Sequence, residues 1–597
     1  MKNDLHCQKS RKSIKRAGRS HGMARSVATF ACAAAVAFIP GLPALAADHN
    51  KMNLRRHKKI IPTSSHSSAA KFYRCLRCCG GLVLALAWLA LSAAKAQTTN
   101  YALGTTNLLV GPAAGTNSVV LGVTPINGAW TATANAPWLH LSAANQSGTG
   151  STNVVFIFDA NPGAMRSGAI TIADRTLAVT QAGSTYVAAG PVTTLVSAGL
   201  NGPIGVAVDR AGNVNIADTF HGAIKKWTAA NNNVLTLVSS GLIIPEDVAV
   251  DNTGNVYIAD SNNNAIKEWM PANSNVTTLV SSGLSNPASV AVDSAGNAFI
   301  AELGAIKEWT AANNTVVTLI SSLQLYPMGI AVDAAGNVYF ADVGNDAIKE
   351  WMAANSNVTT LVSSGLRGPN GIAVDGAGNV YIADLGNNSV KEWTAAGGIL
   401  STLVSSGLSY PAGVAVDGVG NVYIANTDND AIEELPRAFV DPTPKFEGLA
   451  AGSDALPGVL PATENLLPPF APASDQSWLN ITGITNGVVS FSFTANTGPA
   501  RTAHIALLGQ SISNTQGVIG TPPSLTGAQV LGNGVFQFAF TNTPGASFTV
   551  LSTTNLSLPL SDWTVAGPAT NTAPEVFQFT SPPATNEAQL FYTVRSP

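Results

Sequence analysis

Acidic side chains recur at one fixed point of a repeated segment in this chain. They are Asp218, Asp260, Glu302, Asp342 and Asp384, with Asn426 at the sixth position. Oxygen ligands of this kind suit Ca²⁺. Because the residue returns in every repeat, as a local turn or loop cap would, we favour a structural role and expect no cofactor. A Ca²⁺ site built from the five acids remains the alternative.

Histidine chemistry is sparse outside the first 96 residues. Five of the eight histidines lie there, and only His221 falls in the repeated region, since His140 and His504 belong to the flanking segments. A metal bound by several imidazoles, or a serine nucleophile with a histidine base and its orienting acid, needs more partners than the repeats supply. We therefore assign no catalytic residue.

The elements that position these residues come from a repeat of about 42 residues. The stretch "GVAVDRAGNVNIAD" begins at Gly205 and returns five times, and the spacings between its aligned aspartates are 42, 42, 40, 42 and 42 residues. Each repeat predicts four short strands, which we call a ("GVAVD"), b ("NVYIAD"), c ("AIKEW") and d ("VTTLVSSGL"). The "D-x-x-G-N" turn between a and b needs a glycine of positive φ. Four strands per repeat favour a β-propeller.

The residues 365–393, "GLRGPNGIAVDGAGNVYIADLGNNSVKEW", resemble the NHL repeat. The resemblance covers all six repeats, from Val192 to Pro436, and implies a six-bladed propeller. Propellers of the lactonase type hold a metal in the channel, and related lyases use several histidines that this chain lacks. A spare d-type strand, "VTTLVSAGL" from Val192 to Leu200, precedes the first repeat, and we expect it to complete the sixth blade and remove the open edge.

One tryptophan recurs in strand c of each repeat except the last, which has Leu435. A ring that stacks on sugars is one interpretation, but a repeated apolar position more often marks packing between blades, which we favour. The tryptophans are Trp227, Trp269, Trp309, Trp351 and Trp393.

Strand direction predicts where a ligand would bind. Strands alternate in direction, so the d–a loops and the b–c loops share one face, here called the upper face, while the a–b and c–d turns share the lower face. Residues that vary between repeats concentrate on the upper face, and variable loops on a rigid scaffold commonly bind ligands. The candidate ligand contacts are His221, Glu246, Asp247, Tyr326, Met328, Asp346, Arg367, Asn370, Tyr410 and Asp428.

Two flanking segments share spacings with each other. Residues 97–185 contain Asn161, Arg166 and Gln181, and residues 441–519 contain Asn496, Arg501 and Gln516 at the same intervals. Both resemble the BACON-type domain, an immunoglobulin-like β-sandwich, the second more weakly. We expect Trp138 and Trp478 to be buried sandwich tryptophans. Residues 520–597 alternate apolar and polar side chains, which predicts a further small all-β module.

The first 96 residues are typical of an export leader. A basic segment after Met52, the apolar stretch Gly80–Ala94 and the small residues Ala94 and Ala96 predict a signal peptide cleaved before Gln97, with Met52 as the start. A retained membrane anchor is the alternative. All five cysteines lie in this leader, so a disulfide or a cysteine nucleophile is excluded from the rest of the chain.

The net charge after the leader narrows the classes of partner that the protein can bind. Residues 97–597 hold 14 basic and 32 acidic side chains, a net charge of −18, which disfavours nucleic acid and anionic membrane surfaces. We expect an all-β protein: leader 1–96, sandwich 97–185, propeller 186–440, sandwich 441–519 and C-terminal module 520–597. We expect it to be secreted or on the cell surface, non-enzymatic, and to bind a protein or polysaccharide at the upper face. A Ca²⁺-dependent hydrolase or lyase and a purely structural surface protein are the alternatives.

Overall fold

A computed structural model describes residues 98–322, 324–517, 525–532, 535–541, 548–573, 576–582 and 590–595. The predicted leader and its cysteines lie outside the described residues. The described chain is built of β-strands with a few three-residue 3₁₀ turns, which confirms the all-β prediction. None of these short turns has the length or apolar character needed to cross a bilayer.

Six four-stranded antiparallel sheets, here called blades one to six, occupy the repeated region. Each strand is short and rich in Val, Ile, Tyr and Ala, as a half-buried pleated surface requires. In strand order a to d the bounds are as follows: Pro203–Val208, Val214–Asp218, Ala223–Thr228 and Asn233–Val238 in blade one; Pro245–Val250, Val256–Asp260, Ala265–Met270 and Asn275–Val280 in blade two; Ser289–Val292, Ala298–Glu302, Ala305–Thr310 and Thr315–Ser321 in blade three; Pro327–Val332, Val338–Asp342, Ala347–Trp351 and Val358–Val362 in blade four; Pro369–Val374, Val380–Asp384, Ser389–Thr394 and Ile399–Val404 in blade five; and Pro411–Val416, Val422–Asn426, Ala431–Leu435 and Thr193–Val196 in blade six.

The blades form a propeller-like ring. Each a strand contacts the a strand of the next blade, and that of blade six contacts that of blade one. Thr193–Val196 pairs antiparallel with Ala431–Leu435, so the strand that precedes the first repeat is the outer strand of the last blade. The predicted ring closure is confirmed, and it joins the two ends of the repeated region through backbone hydrogen bonds.

The a–b turn has the predicted conformation in every blade. Its glycine has a φ between 76° and 101°, from Gly212 to Gly420. In blade one, Asp209 Oδ1 accepts hydrogen bonds from the backbone nitrogens of Ala211 (2.9 Å) and Asn213 (3.0 Å). The aspartate therefore stabilises the turn from its first residue, as a turn-capping side chain does.

The strand-c tryptophans lie between blades. Trp269 packs in one cluster with Ile224 and Val238 of blade one, and Trp309 packs with Ile266 and Val280 of blade two. Such contacts bury the sheet faces against each other, and they confirm the packing interpretation of this repeated position.

The N-terminal flanking segment is a β-sandwich of two sheets. In neighbour order the first contains Asn100–Leu103, Gly115–Thr124, Thr152–Phe158 and Leu139–His140, and the second contains Asn107–Val110, Arg175–Gln181, Arg166–Ile172, Ala129–Ala134 and Ser147–Thr149. Trp138 is buried in the core, with the Arg166 guanidinium 4.5 Å from its ring centroid. Arg166 Nε also donates to Gln181 Oε1 at 2.8 Å, which explains the fixed spacing of these residues.

The second flanking segment repeats this arrangement. Its sheets contain Lys445–Glu447, Gln510–Gln516, Arg501–Leu507 and Ala473–Ser474, and Gly452–Ala455, Val488–Phe493 and Leu479–Thr485. The Arg501 guanidinium lies 4.3 Å from the Trp478 ring centroid, and Arg501 Nε donates to Gln516 Oε1 at 2.9 Å. Trp478 is only partly buried, so its ring is less enclosed than that of Trp138.

The C-terminal module has two small sheets around an aromatic core. They contain Thr526–Val530, Phe536–Thr541, Val576–Thr580 and Thr570–Ala573, and Thr564–Pro568, Thr549–Thr553 and Phe591–Arg595. The core is formed by Phe538, Phe540, Phe548, Phe577 and Phe579. A short ribbon, Val187–Ala188 with Phe439–Val440, lies beside the ring closure.

Candidate functional site

The acid that ends strand b is a structural residue in this fold. Its side chain is buried, and a strand-c lysine of the same blade lies against it: Lys225 with Asp218, Lys267 with Asp260, and Lys349 with Asp342 at 2.6 Å each, Lys391 with Asp384 at 2.5 Å, and Lys307 with Glu302. The other carboxylate oxygen accepts a backbone N–H of the d–a loop, as Asp218 does from Asn201 at 2.7 Å. The acid thereby ties the two loop types of the upper face together.

These contacts argue against the alternative of a Ca²⁺ site built from the five acids. Each carboxylate already has a cation and a backbone donor, and a metal would have to displace both. Within the described ranges, no group of three or more His, Cys, Asp or Glu side chains is arranged to hold a metal ion. We therefore assign Asp218, Asp260, Glu302, Asp342 and Asp384 to the scaffold.

The predicted ligand contacts divide into two groups. Six lie in the loops around the rim of the upper face: His221, Tyr326, Asp346, Arg367, Tyr410 and Asp428. Two of them also have structural contacts, because His221 Nδ1 lies 2.8 Å from Asp218 Oδ2 and Asp346 Oδ1 accepts the Gly368 N–H at 2.6 Å. The side chains of Tyr326, Arg367, Tyr410 and Asp428 are exposed.

The other four candidates line a central channel. Glu246, Asp247, Met328 and Asn370 lie at the upper ends of the a strands and face a cavity of about 200 Å³ that the six a strands surround. At the lower end the lining is apolar, with one valine from each blade: Val208, Val250, Val292, Val332, Val374 and Val416. The channel therefore carries acidic and amide side chains among apolar residues at its upper mouth, and its floor is apolar.

The residue that follows the mouth position of each a strand, the position of Glu246, Met328 and Asn370, is glycine in four blades. Neighbouring a strands approach each other closely there. A Cβ on Gly413 would lie 2.1 Å from the Ile204 carbonyl oxygen, and one on Gly329 would lie 2.2 Å from that of Asn370. Blades two and three break the pattern with Asp247 and Ser289. At the junctions of blade two with blade three and of blade three with blade four, side chains rather than direct backbone contacts connect the a strands.

The bridge runs through three blades. The Asp247 carboxylate accepts a hydrogen bond from the Ser289 hydroxyl and another from Val290 N at 3.1 Å. Ser289 Oγ in turn accepts the Ile330 N–H at 3.2 Å. Asp247 is thus held in place by donors of blade three.

Glu246 and Asp247 are the two acids of the channel mouth, and their environment raises the pKa of both. Burial raises the pKa of Asp247 to about 6 against opposing hydrogen bonds from Ser289 and the backbone. Burial, and next the negative charge of Asp247, raise the pKa of Glu246 to about 7. Among the residues that line the channel, these two are the only ones with a charge, and both are acidic.

Sequence reasoning missed Ser289 and a set of exposed apolar side chains. Ser289 could have been found, because "SVAVD" stands where four of the other repeats begin this stretch with glycine, as in "GVAVD". The exposed apolar side chains in the upper-face loops, here called the rim set, are each between 47% and 62% exposed: Phe220, Ile243, Leu303, Tyr326 and Tyr410. Of these, only Tyr326 and Tyr410 were predicted, since residue type alone does not show exposure.

Both flanking sandwiches bind the opposite face. Val120 N donates to Gly376 O at 3.0 Å and Ser118 Oγ donates to Ala377 O at 2.6 Å, both in the a–b turn of blade five. Asn421, in the a–b turn of blade six, donates to Glu464 at 3.3 Å. In the part of the chain that the structure describes, every hydrogen bond between a sandwich and a blade turn lies on the lower face. Among the described residues, none of these hydrogen bonds reaches the upper face.

These features define a β-propeller-like repeat protein with appended β-sandwiches. The sequence places it more closely: residues 128–182 match the BACON domain, and residues 242–269 and 366–393 match the NHL repeat. The chain therefore contains NHL repeats and a BACON domain within these ranges. No curated protein matches it.

Solved structures with a similar fold include three from bacteria. A protein of unknown function from Bacteroides thetaiotaomicron is 16% identical, with a TM-score of 0.39 over 57% of this chain and 98% of that one. A gluconolactonase from Xanthomonas campestris is 14% identical, with a TM-score of 0.37 over 41% and 89%. Virginiamycin B lyase from Staphylococcus aureus is 16% identical, with a TM-score of 0.33 over 42% and 88%. These similarities concern the fold alone.

Proposed function

We propose that this protein is an exported, non-enzymatic binding scaffold whose upper face recognises a protein or a glycan. The observation that carries the proposal is the difference between the two faces of the ring. The sandwiches bind the lower face, and the rim set is exposed on the upper one. Exposed apolar side chains grouped on one surface and bordered by polar residues mark interaction sites.

The polar residues of the upper face support recognition rather than catalysis. The strand-b acids are paired with lysines, and His221 hydrogen-bonds Asp218. A general acid or base needs a reacting partner within hydrogen-bond reach, and these groups are engaged by the scaffold. The sandwiches would then act as spacers that hold the propeller away from a cell surface.

Face-directed variants of the full chain test the proposal on a glycan array and in a pull-down from extracellular protein. Tyr326→Asp and Tyr410→Asp each place a charge in the rim set. Ile399→Asp, in the outer strand of blade five, is the matched control because Ile399 is also exposed, at 63%. Loss of an aromatic hot-spot contact at an interface costs about 2 kcal/mol or more, hence roughly thirtyfold or more in affinity.

Binding that the two tyrosine variants lose and the control keeps supports the upper face. Binding that all three variants keep would overturn the proposal, and so would the absence of any ligand on the array and in the pull-down. The last outcome would favour the purely structural alternative.

A further inference from the structure

Glu246 and Asp247 differ from the strand-b acids because no cation lies against them. Each strand-b acid has a lysine partner in its own blade. Within the described residues, no salt bridge involves Glu246 or Asp247, although Glu246 is half-buried at the channel mouth. A carboxylate removed from water gains most from a cation that enters the same site.

The mouth offers room for one small group. The volume of the whole channel, about 200 Å³, is below the roughly 300–1,000 Å³ of pockets that enclose a drug-sized ligand. Glu246 and Asp247 lie on blade two, and in a ring of six a strands the opposite strand is that of blade five, which contributes Asn370. The Asn370 amide oxygen and the Glu246 carboxylate are both hydrogen-bond acceptors.

Charge and apolar surface around the mouth point to the same kind of partner. The upper-face loops carry Asp346, Asp428 and Asp430 against Arg367 alone, and residues 97–597 have a net charge of −18. The rim set surrounds the mouth with exposed apolar and aromatic side chains. Neutral glycans supply no cation, whereas a polypeptide supplies a basic side chain flanked by apolar neighbours, a common composition at protein interfaces.

We propose that the upper face binds a polypeptide partner that inserts one arginine or lysine side chain into the channel mouth, between Glu246 and Asn370, while flanking apolar residues pack on the rim set. This inference rests on the proposed function and specifies its ligand. The planar guanidinium, with its several donors, is the group best matched to a carboxylate and an amide oxygen together.

Met328 provides a local probe, since its side chain lines the same cavity. The full chain, labelled with ¹³C at the methionine methyl groups, is titrated with a capped Leu-Arg-Leu peptide and with its citrulline twin. The resonance of Met328 is assigned by its loss in Met328→Leu. The twin has the same shape and no charge. The titration is done at about pH 8, where a Glu246 of pKa about 7 is ionised.

The arginine peptide should shift the Met328 methyl signal saturably, at least about tenfold more tightly than its twin. Glu246→Gln should lower the affinity for the arginine peptide to that for the twin, and the exposed control Asp562→Asn should leave it unchanged. Tyr410→Asp should weaken both peptides by a similar factor.

Equal affinities for the two peptides, or no saturable shift with the arginine peptide, would overturn the inference. A stronger response to glucosamine than to the arginine peptide would also overturn it, in favour of an amino sugar. None of these outcomes bears on the rim set. If the array and pull-down still depend on Tyr326 and Tyr410, the proposed function stands without the inserted basic side chain.

Discussion

Asn426 Nδ2 donates a hydrogen bond of 3.0 Å to Glu433 Oε1 in blade six. The other five blades place a carboxylate and a lysine at these two positions, as in Asp384 and Lys391 at 2.5 Å. Blade six therefore exchanges the charged group between strands b and c. In both versions the strand-b side chain also accepts a d–a loop N–H, from Ser409 in blade six and from Arg367 in blade five.

This exchange predicts that the stability lost when Lys391 is substituted is recovered when Asp384 is changed together with it. Lys391→Met leaves the buried Asp384 carboxylate without its cation, which should lower the free energy of unfolding by roughly 3–5 kcal/mol. The double variant Asp384→Asn with Lys391→Glu copies the blade-six pair and should recover most of the stability. Urea unfolding followed by fluorescence measures both.

Lys391→Glu alone is the control for the rescue, because it sets two acids against each other and should be the least stable of the three. If the double variant is no more stable than Lys391→Glu, the two pairs are not equivalent and the scaffold role assigned to these acids is wrong.

Closure of the ring by the strand Thr193–Val196 predicts that changes in this strand destabilise the ring. Leu195 and Val196 are buried in the closing strand, whereas Thr194 beside them is exposed. Leu195→Ala should lower the free energy of unfolding by roughly 2–5 kcal/mol, the usual cost of a buried leucine. Deletion of 192–197 should destabilise the whole ring. Thr194→Ala is the matched surface control, and chemical denaturation in which the deletion unfolds like the intact chain would contradict the closure.

Asn215 predicts a stabilising substitution. It is fully buried, and neither of its side-chain polar atoms has a hydrogen-bond partner. The aligned residues of the later blades are aromatic, including Tyr257 and Phe299. Since an unsatisfied buried polar group costs about 1–3 kcal/mol, Asn215→Phe should raise the free energy of unfolding by about that amount.

The reverse change, Phe299→Asn in blade three, should lower the free energy of unfolding. A lower denaturation midpoint for Asn215→Phe would show that Asn215 makes a contact that the hydrogen-bond geometry does not reveal.

Three acids at the joint between blade six and the second sandwich predict a pH dependence. Burial, and then the charges of Glu464 and Asp417, raise the pKa of Glu434 to about 9, and burial raises that of Glu464 to about 7. A folded-state pKa above the unfolded value of 4.5 means that the folded protein holds these protons more tightly. Their contribution to stability is present below pH 4.5 and is lost as the pH rises through 7 to about 9.

The free energy of unfolding should therefore fall between about pH 5 and pH 9, and Glu434→Gln should flatten that decline. Denaturant titrations across the range measure the slope, and Asp562→Asn serves as an exposed control. A slope that Glu434→Gln leaves unchanged would contradict the assignment of the decline to this joint.

The repeat made most of the fold predictable. Fixed positions such as the turn glycines and the strand-c tryptophans carry one structural demand each, so their recurrence revealed the strands, the turns and the ring closure. The site was less predictable, because it depends on exceptions. Asp247 and Ser289 replace a glycine, and their bridge to Ile330 depends on how closely neighbouring strands approach. Exposure of Phe220 likewise depends on a loop conformation that no repeat pattern encodes.

The charge of the channel mouth is the most direct test of whether this site attracts a cationic group. Met328→Cys introduces a thiol there, and peptide-level mass spectrometry separates it from the leader cysteines. An acidic mouth should make a cationic methanethiosulfonate react at least about tenfold faster than its anionic counterpart. Glu246→Gln should reduce that preference towards the value measured at the surface control Ile399→Cys. Equal rates for the two reagents at the mouth, or a preference that Glu246→Gln leaves intact, would contradict an acidic channel mouth that depends on Glu246.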